Sequence, residues 1–197
     1  ISGLARASAV FQKPEYLEMA QKAADFILDH QWVDDRFHRL NYDGHASVLA
    51  QSEDYALFIK ALLDLHQAQV AAAPATLDAA NRLLDRICLL QSEFDEFLWS
   101  IESGGYFNTD AAPDLLLRER SYVDNGIAAA NLVQLALLTE DLDYLDKAEK
   151  TLQAFGKVMQ QSPAACPSLF SALDWFQNHT LVRTTPEQVS TLATQSL

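Results

Sequence analysis

Two adjacent carboxylates and a phenol, Glu53-Asp54-Tyr55, stand at the head of a run that is apolar on almost every side through Leu65. A carboxylate pair at a buried helix mouth can split its pKa values, one group serving as acid and the other as base. Asp124 stands before a second apolar run and offers a third carboxylate. Glu53, Asp54 and Asp124 are therefore the candidate catalytic residues. Glycosidases hold two carboxylates about 5–9.5 Å apart, a spacing that neighbouring helix starts can supply. The same acids also have a plainer use. In a first helical turn they complement the helix dipole and stabilise by about 0.3–1 kcal/mol.

Candidate ligand contacts surround these acids in the sequence. His38, Tyr42 and Asp43, with His45, lie on the return that leads into the mouth. Histidine is the usual acid or base near neutral pH, and sugar isomerisation needs such a group at the carbon that loses its proton. Trp99 and Tyr106 could stack on a sugar ring, whereas Phe107 reads as core. Tyr55 and Asn125 complete the set, each beside a candidate acid. His30, His66 and His179 read as surface or packing residues. The five histidines show no HxxxH or HxH spacing, so no metal site is expected. No nucleophile elbow and no glycine-rich phosphate loop is present, and the sequence implies no cofactor.

Helices must position these groups. The pattern predicts helices over 2–12, 15–30, 53–69, 77–98, 126–138, 142–160 and 164–178. Those over 53–69 and 126–138 are apolar nearly all round, which marks buried inner helices. Those over 15–30, 77–98 and 142–160 carry one apolar stripe, which marks outer helices. Thr76 is placed to cap the fourth helix, and Pro14 fits the first turn of the second. Arg36–Gly44 reads as extended and closed by an Asp-Gly turn, and Gly104–Thr109 as a second extended or turn segment. Residues 111–121 read as loop or short helix, His179–Thr184 as a short strand, and Thr185-Pro186-Glu187-Gln188 as a capping-box helix start.

Segment 4–28 lines up without gaps on segment 132–156. Leu4 falls on Leu132, Tyr16 on Tyr144, Leu17 on Leu145 and Ala20 on Ala148. The repeating unit is an inner helix, a turn, an outer helix and a long irregular return. Such units stack sideways. The expected fold is all-α: about three helical hairpins forming an arc of a toroid over 1–178, with an open solenoid as the alternative and a tail over 179–197.

The chain has 197 residues and a formal charge of −13. That balance argues against nucleic acid, which needs a positive stripe, and against an anionic membrane surface. No apolar run reaches the roughly 20 residues of a membrane span. Cys88 and Cys166 lie outside any CxxC spacing. They read as free thiols, and the expected location is the cytoplasm. The opening on Ile1 suggests a piece of a longer polypeptide. Its expected partners are a sugar-like small molecule and either the rest of that polypeptide or a second copy.

Arg36-Phe37-His38-Arg39, Tyr42-Asp43-Gly44, Ser52-Glu53-Asp54-Tyr55-Ala56, Gly104-Gly105-Tyr106-Phe107 and Ala165-Cys166-Pro167-Ser168-Leu169 together resemble one family. It is the C-terminal region of large thioredoxin-domain proteins, the spermatogenesis-associated thioredoxin-like proteins and their bacterial relatives. The resemblance implies an (α/α)6 toroid of the six-hairpin glycosidase type, similar to those of the N-acylglucosamine and cellobiose 2-epimerases. This chain would be the last half or so of it. The thioredoxin-like domain would lie outside the chain, so no redox activity is expected. The implied function is carbohydrate-active or sugar-isomerising, with a non-catalytic scaffold or partner-binding module as the alternative. One feature departs from the pattern. The family's Pro-Ser-Gly/Ala-Asn loop does not follow Asp124 in this sequence: either the loop is lost, and one wall of the implied pocket with it, or its residues are absent from the given sequence. No residue matches the epimerases' catalytic histidines.

Overall fold

A computed structural model describes residues 1–72, 76–110 and 119–181. Its helices are α1 (Ser2–Phe11), α2 (Pro14–His30), α3 (Ser52–Ala72), α4 (Leu77–Leu98), α5 (Tyr122–Thr139), α6 (Asp143–Gln161) and α7 (Pro167–Asn178). Between α2 and α3 run three short strands, β1 (Trp32–Val33), β2 (Arg36–Tyr42) and β3 (His45–Leu49), as one antiparallel sheet in that order.

The helices form two layers. In the inner row α1 packs on α3, α3 on α5 and α5 on α7. The outer helices α2, α4 and α6 each pack on the inner helix that precedes them. This layering explains the two composition types. Helix α3 touches α1, α2, α4 and α5 and buries Tyr55, Ala56, Ile59, Leu62 and Leu65 on several sides at once. Helix α6 meets the core along one stripe, through Ala148, Leu152, Phe155 and Met159.

The internal repeat reappears as matched geometry. Helices α1 and α5 end at aligned positions on left-handed residues, Gln12 at φ 53° and Glu140 at φ 63°. Each donates its N–H four residues back, to Ser8 and Ala136, the usual way a helix end satisfies an orphan carbonyl. Ala20 and Ala148, also aligned, are both fully buried. The inner helices come close where side chains are smallest. A Cβ on Gly126 of α5 would lie 2.4 Å from Ser168 Oγ and 2.5 Å from the Leu169 nitrogen, so only glycine fits there against α7.

Three local expectations are corrected. Helix α5 starts one turn earlier than its apolar run, because Ser121 Oγ accepts from the Asp124 N–H at 3.2 Å and caps it. Asp124 and Asn125 thus lie inside the helix. Thr76 holds the N-cap position of α4, but its hydroxyl donates to the Gln69 carbonyl and makes no cap bond. The last helix is split: a 3-10 turn over Pro163–Ala165 precedes α7, whose first residue is Pro167.

The extended segments take definite form. Asp43 and Gly44, at φ 49° and 79°, make the two-residue turn between β2 and β3. Asp34 and Asp35, at φ 53° and 56°, do the same between β1 and β2. Both central residues at positive φ suit the twist of a hairpin. The expected loop or helix over 111–121 lies outside the described residues from 111 to 118. The expected tail strand and helix start lie outside them from 182 onward.

Candidate functional site

The starts of α3 and α5 sit side by side, and one residue joins them. The Asn108 carbonyl accepts from the Ser52 N–H at 3.0 Å. Its side-chain oxygen accepts from the Ser121 N–H at 2.7 Å. Across this junction Ser52 Oγ donates to Asp124 Oδ2 at 2.9 Å. Asp124 is thereby tied to the residue that precedes Glu53 and Asp54.

Asp54 is partly committed to its own helix, since Oδ2 accepts from the Gln51 N–H at 2.8 Å. This is one arm of a capping box. Arg39 of β2 reaches both acids, with Nε 3.5 Å from Asp54 and Nη2 3.8 Å from Glu53. Glu53 is largely exposed and Asp54 only slightly so. The result is a polar, solvent-facing surface of Glu53, Asp54 and Arg39, linked through the fully buried Ser52 to Asp124. Such a surface can accept hydrogen bonds from several ligand hydroxyls at once.

The other expected contacts divide into two groups. Side chains alternate along a strand, so His38, Leu40 and Tyr42 share the face of β2 opposite to Arg39. Tyr42 is 83 % exposed, and the His38 ring bonds the Arg36 carbonyl at 2.9 Å. With Asp43 at the turn, these residues form the outer face and tip of the hairpin. Next to Arg39 in the chain's own ladder, Val48 sits at φ 61°, a strained backbone for a β-branched residue.

Tyr55, Tyr106 and Asn125 lie inside the protein, and Trp99 is half-buried against Tyr106, edge to face at 5.1 Å. Asn125 acts as a strand partner for Tyr106. Its Oδ1 accepts from the Tyr106 N–H at 2.6 Å and its amide donates to the Tyr106 carbonyl at 2.9 Å. The Tyr55 hydroxyl donates to Glu93 Oε1 at 2.6 Å, and the Tyr106 hydroxyl to Asp95 Oδ1, also at 2.6 Å. Burial first, and the neighbouring carboxylate second, push the Tyr106 phenol well above its ordinary pKa. Burial, then the hydrogen bond to Glu93, does the same to Tyr55. Both phenols stay neutral, and their rings stack on Phe94 at 4.9 and 3.9 Å, away from solvent.

Glu93 and Asp95 drew no attention as sequence. Two residues apart on α4, they point to opposite sides. Glu93 Oε1 also accepts from the Phe37 N–H at 2.7 Å and lies 3.9 Å from Arg36 Nε. The Arg36 guanidinium stacks over Phe97 at 3.6 Å and reaches Asp110 at 3.3 Å. Asp95 Oδ1 also takes a bond from Gln91 at 2.8 Å, and Oδ2 pairs with Lys147 of α6. Arg39 and Asn108 were missed as well. The one available signal for Arg39 was a cation close before two acids in a chain short of cations. Among the described residues, no group of three or more His, Cys, Asp or Glu side chains could hold a metal ion. Nor is any described helix long and apolar enough to cross a membrane.

The GH76 α-mannanase of Bacteroides thetaiotaomicron superposes with a TM-score of 0.65 at 14 % identity, over 97 % of this chain and 53 % of that one. The chain is an arc of an (α/α)6 toroid. No protein-family profile matches it. Spermatogenesis-associated protein 20 of Rattus norvegicus is 32 % identical over 88 % of this chain, and that of Homo sapiens 29 % over the same share. An uncharacterized protein of Caenorhabditis elegans is 28 % identical over 90 %. The chain spans about a quarter of the length of these relatives, 23 % of the rat protein.

Proposed function

We propose that this arc binds a small polyhydroxylated, sugar-like ligand at the joined starts of α3 and α5, as part of a carbohydrate-active or epimerase-like toroid. The observation that carries the reading is the Arg39 guanidinium beside both Glu53 and Asp54 on one polar face, linked through Ser52 to Asp124. The carboxylates accept ligand hydroxyls, and Arg39 donates to a ring or carbonyl oxygen. Glu53, the least committed of the three, is the acid or base of any proton transfer. His38, Tyr42 and Asp43 form an outer rim. The likeness in fold to a mannanase supports a carbohydrate ligand without fixing one, because folds host many functions.

A second reading makes the arc a non-catalytic scaffold or partner-binding module beside a thioredoxin-like domain. It draws on the burial of Tyr55, Tyr106 and Asn125, whose polar atoms serve the fold.

A thermal-shift screen against mono- and disaccharides separates the two. A ligand at about 100 times its Kd adds roughly 2.7 kcal/mol, a shift of about 5–10 °C at this chain length. The carbohydrate reading expects such a shift for at least one sugar, lost in Glu53→Gln and Arg39→Met. If no sugar moves the transition, the scaffold reading stands.

A further inference from the structure

In a chain with a charge of −13, a cation without an acid is unusual. Arg6, Arg36, Arg39, Lys60, Arg86 and Lys147 each pair with a carboxylate. Arg120, Lys150 and Lys157 meet none among the described residues, and they are neighbours in space. Arg120 Nη1 donates to the Gly104 carbonyl at 2.7 Å and to Ser103 Oγ at 3.0 Å. Gly104, at φ 70°, is pressed onto α6 in turn, since a Cβ there would lie 2.7 Å from the Lys150 carbonyl oxygen. Lys150, Ala154, Lys157 and Gln161 follow one another on α6 at spacings of four, three and four, which makes one stripe.

Arg120 is half-buried and held in place. Its guanidinium carbon lies 5.4 Å from the centre of the Phe155 ring and 5.9 Å from that of Phe107. A glycine turn and two aromatic rings thus fix a cation whose Nε and Nη2 have no hydrogen-bond partner among the described residues. Cations brought together repel one another, and an ordered arginine loses side-chain entropy. No ion pair among the described residues offsets either cost.

Arg120 and Lys157 line one groove of about 470 Å³ with Tyr122, Phe155 and Gln161, and no carboxylate is among its lining residues. That volume is in the range of small-molecule sites, about 300–1,000 Å³. Tyr122 is 40 % exposed and is steadied by an edge-to-face contact with Phe155 at 5.8 Å. We propose that this groove binds a small phosphorylated molecule, its phosphate on Arg120 and Lys157 and an attached ring on Tyr122. The planar guanidinium matches phosphate oxygens in pairs, and the lysine adds a point charge. Three cations suit a single phosphate group, whereas the charge of the whole chain repels a long polyanion. Glu53, Asp54 and Arg39 are not among the lining residues, so the inference is independent of the sugar site.

Isothermal titration calorimetry with phenyl phosphate, at neutral pH and fixed ionic strength, tests this. Phenyl phosphate should bind saturably, inorganic phosphate more weakly and phenol not at all. Lys150→Met with Lys157→Met alters only exposed side chains and should weaken phenyl phosphate about tenfold, as loss of one charge-assisted hydrogen bond does. Arg120→Met should abolish binding, and Arg120→Lys should restore part of it. Tyr122→Ala should bring phenyl phosphate down to the affinity of inorganic phosphate. Circular dichroism reports whether each variant folds, and if Arg120→Met does not, the double lysine variant still decides. Absence of saturable binding overturns the proposal. So does wild-type affinity in the double lysine variant, or benzoate bound as tightly as phenyl phosphate.

Discussion

Two sets of carboxylates occupy this arc, and they behave oppositely. Glu53, Asp54 and Asp124 stand at inner-helix starts, meet Arg39 at 3.5–3.8 Å or a serine hydroxyl, and face water. Glu93 and Asp95 stand near the end of an outer helix and turn inward. They hold two buried phenols and two cations, drawn from α3, β2, α6 and the return after α4. The first set conforms to the ordinary chemistry of helix starts and leaves lone pairs over. The second spends nearly everything on the fold, although Glu93 Oε2 is buried without a partner among the described residues. The charges at the helix starts are weakly held. Charges placed for architecture are deeply held.

The contrast sets an order of effects. Glu93→Ala should be the most damaging of these changes. It leaves the Tyr55 hydroxyl and the Phe37 N–H unpaired in the core and takes from Arg36 one of its two carboxylates, a loss of about 3–5 kcal/mol in denaturant unfolding. Next comes Tyr106→Phe, which removes a bond to a charged acceptor and should cost about 1.5–3 kcal/mol. Asp54→Ala follows at about 1 kcal/mol, the usual worth of a cap. Glu53→Ala should stay within about 0.5 kcal/mol, as exposed pairs do. If Glu53→Ala proved as harmful as Glu93→Ala, the division between the two sets would fail.

Titration sharpens the comparison. Because Tyr55 and Tyr106 are held neutral, their stabilising effect is complete below the ordinary tyrosine pKa near 10 and is lost as pH rises above it. Tyrosinate absorbance should therefore show these two ionising only with alkaline unfolding. His66 provides the smallest effect and the opposite sign. Burial lowers its pKa, so below about 6.5 the unfolded chain binds a proton that the folded one refuses. Stability should fall as pH drops from about 7 to 5, and His66→Gln should flatten that slope in a series of melting curves.

Much of the arc was legible beforehand, because periodicity and repeats are local properties of a sequence. The all-round apolar composition of 53–65 and 126–138 marked inner helices, and single stripes marked outer ones. The Asp-Gly turn and the alignment of 4–28 on 132–156 were readable for the same reason. The acids at the starts of α3 and α5 could be named because residues at a helix start are defined by where the helix begins. What joins them could not. Arg39 comes to Glu53 and Asp54 from β2, and Asn108 to Ser52 and Ser121 from the return after α4, and no spacing in the chain encodes those meetings.

The boundary between the two kinds of knowledge follows from range. Sequence alone determined the helices, their inner or outer character, the repeat and the hairpin turn, all of which depend on residues within a few turns of one another. Tertiary structure decided that Tyr55, Tyr106 and Asn125 face inward, that His38 and Tyr42 lie on the far side of the ribbon from Arg39, and that Glu93 and Asp95 clamp neighbouring units. Those outcomes depend on which surfaces are left to pack once the helices have formed, and burial is a property of neighbours that a residue's own position in the chain does not state.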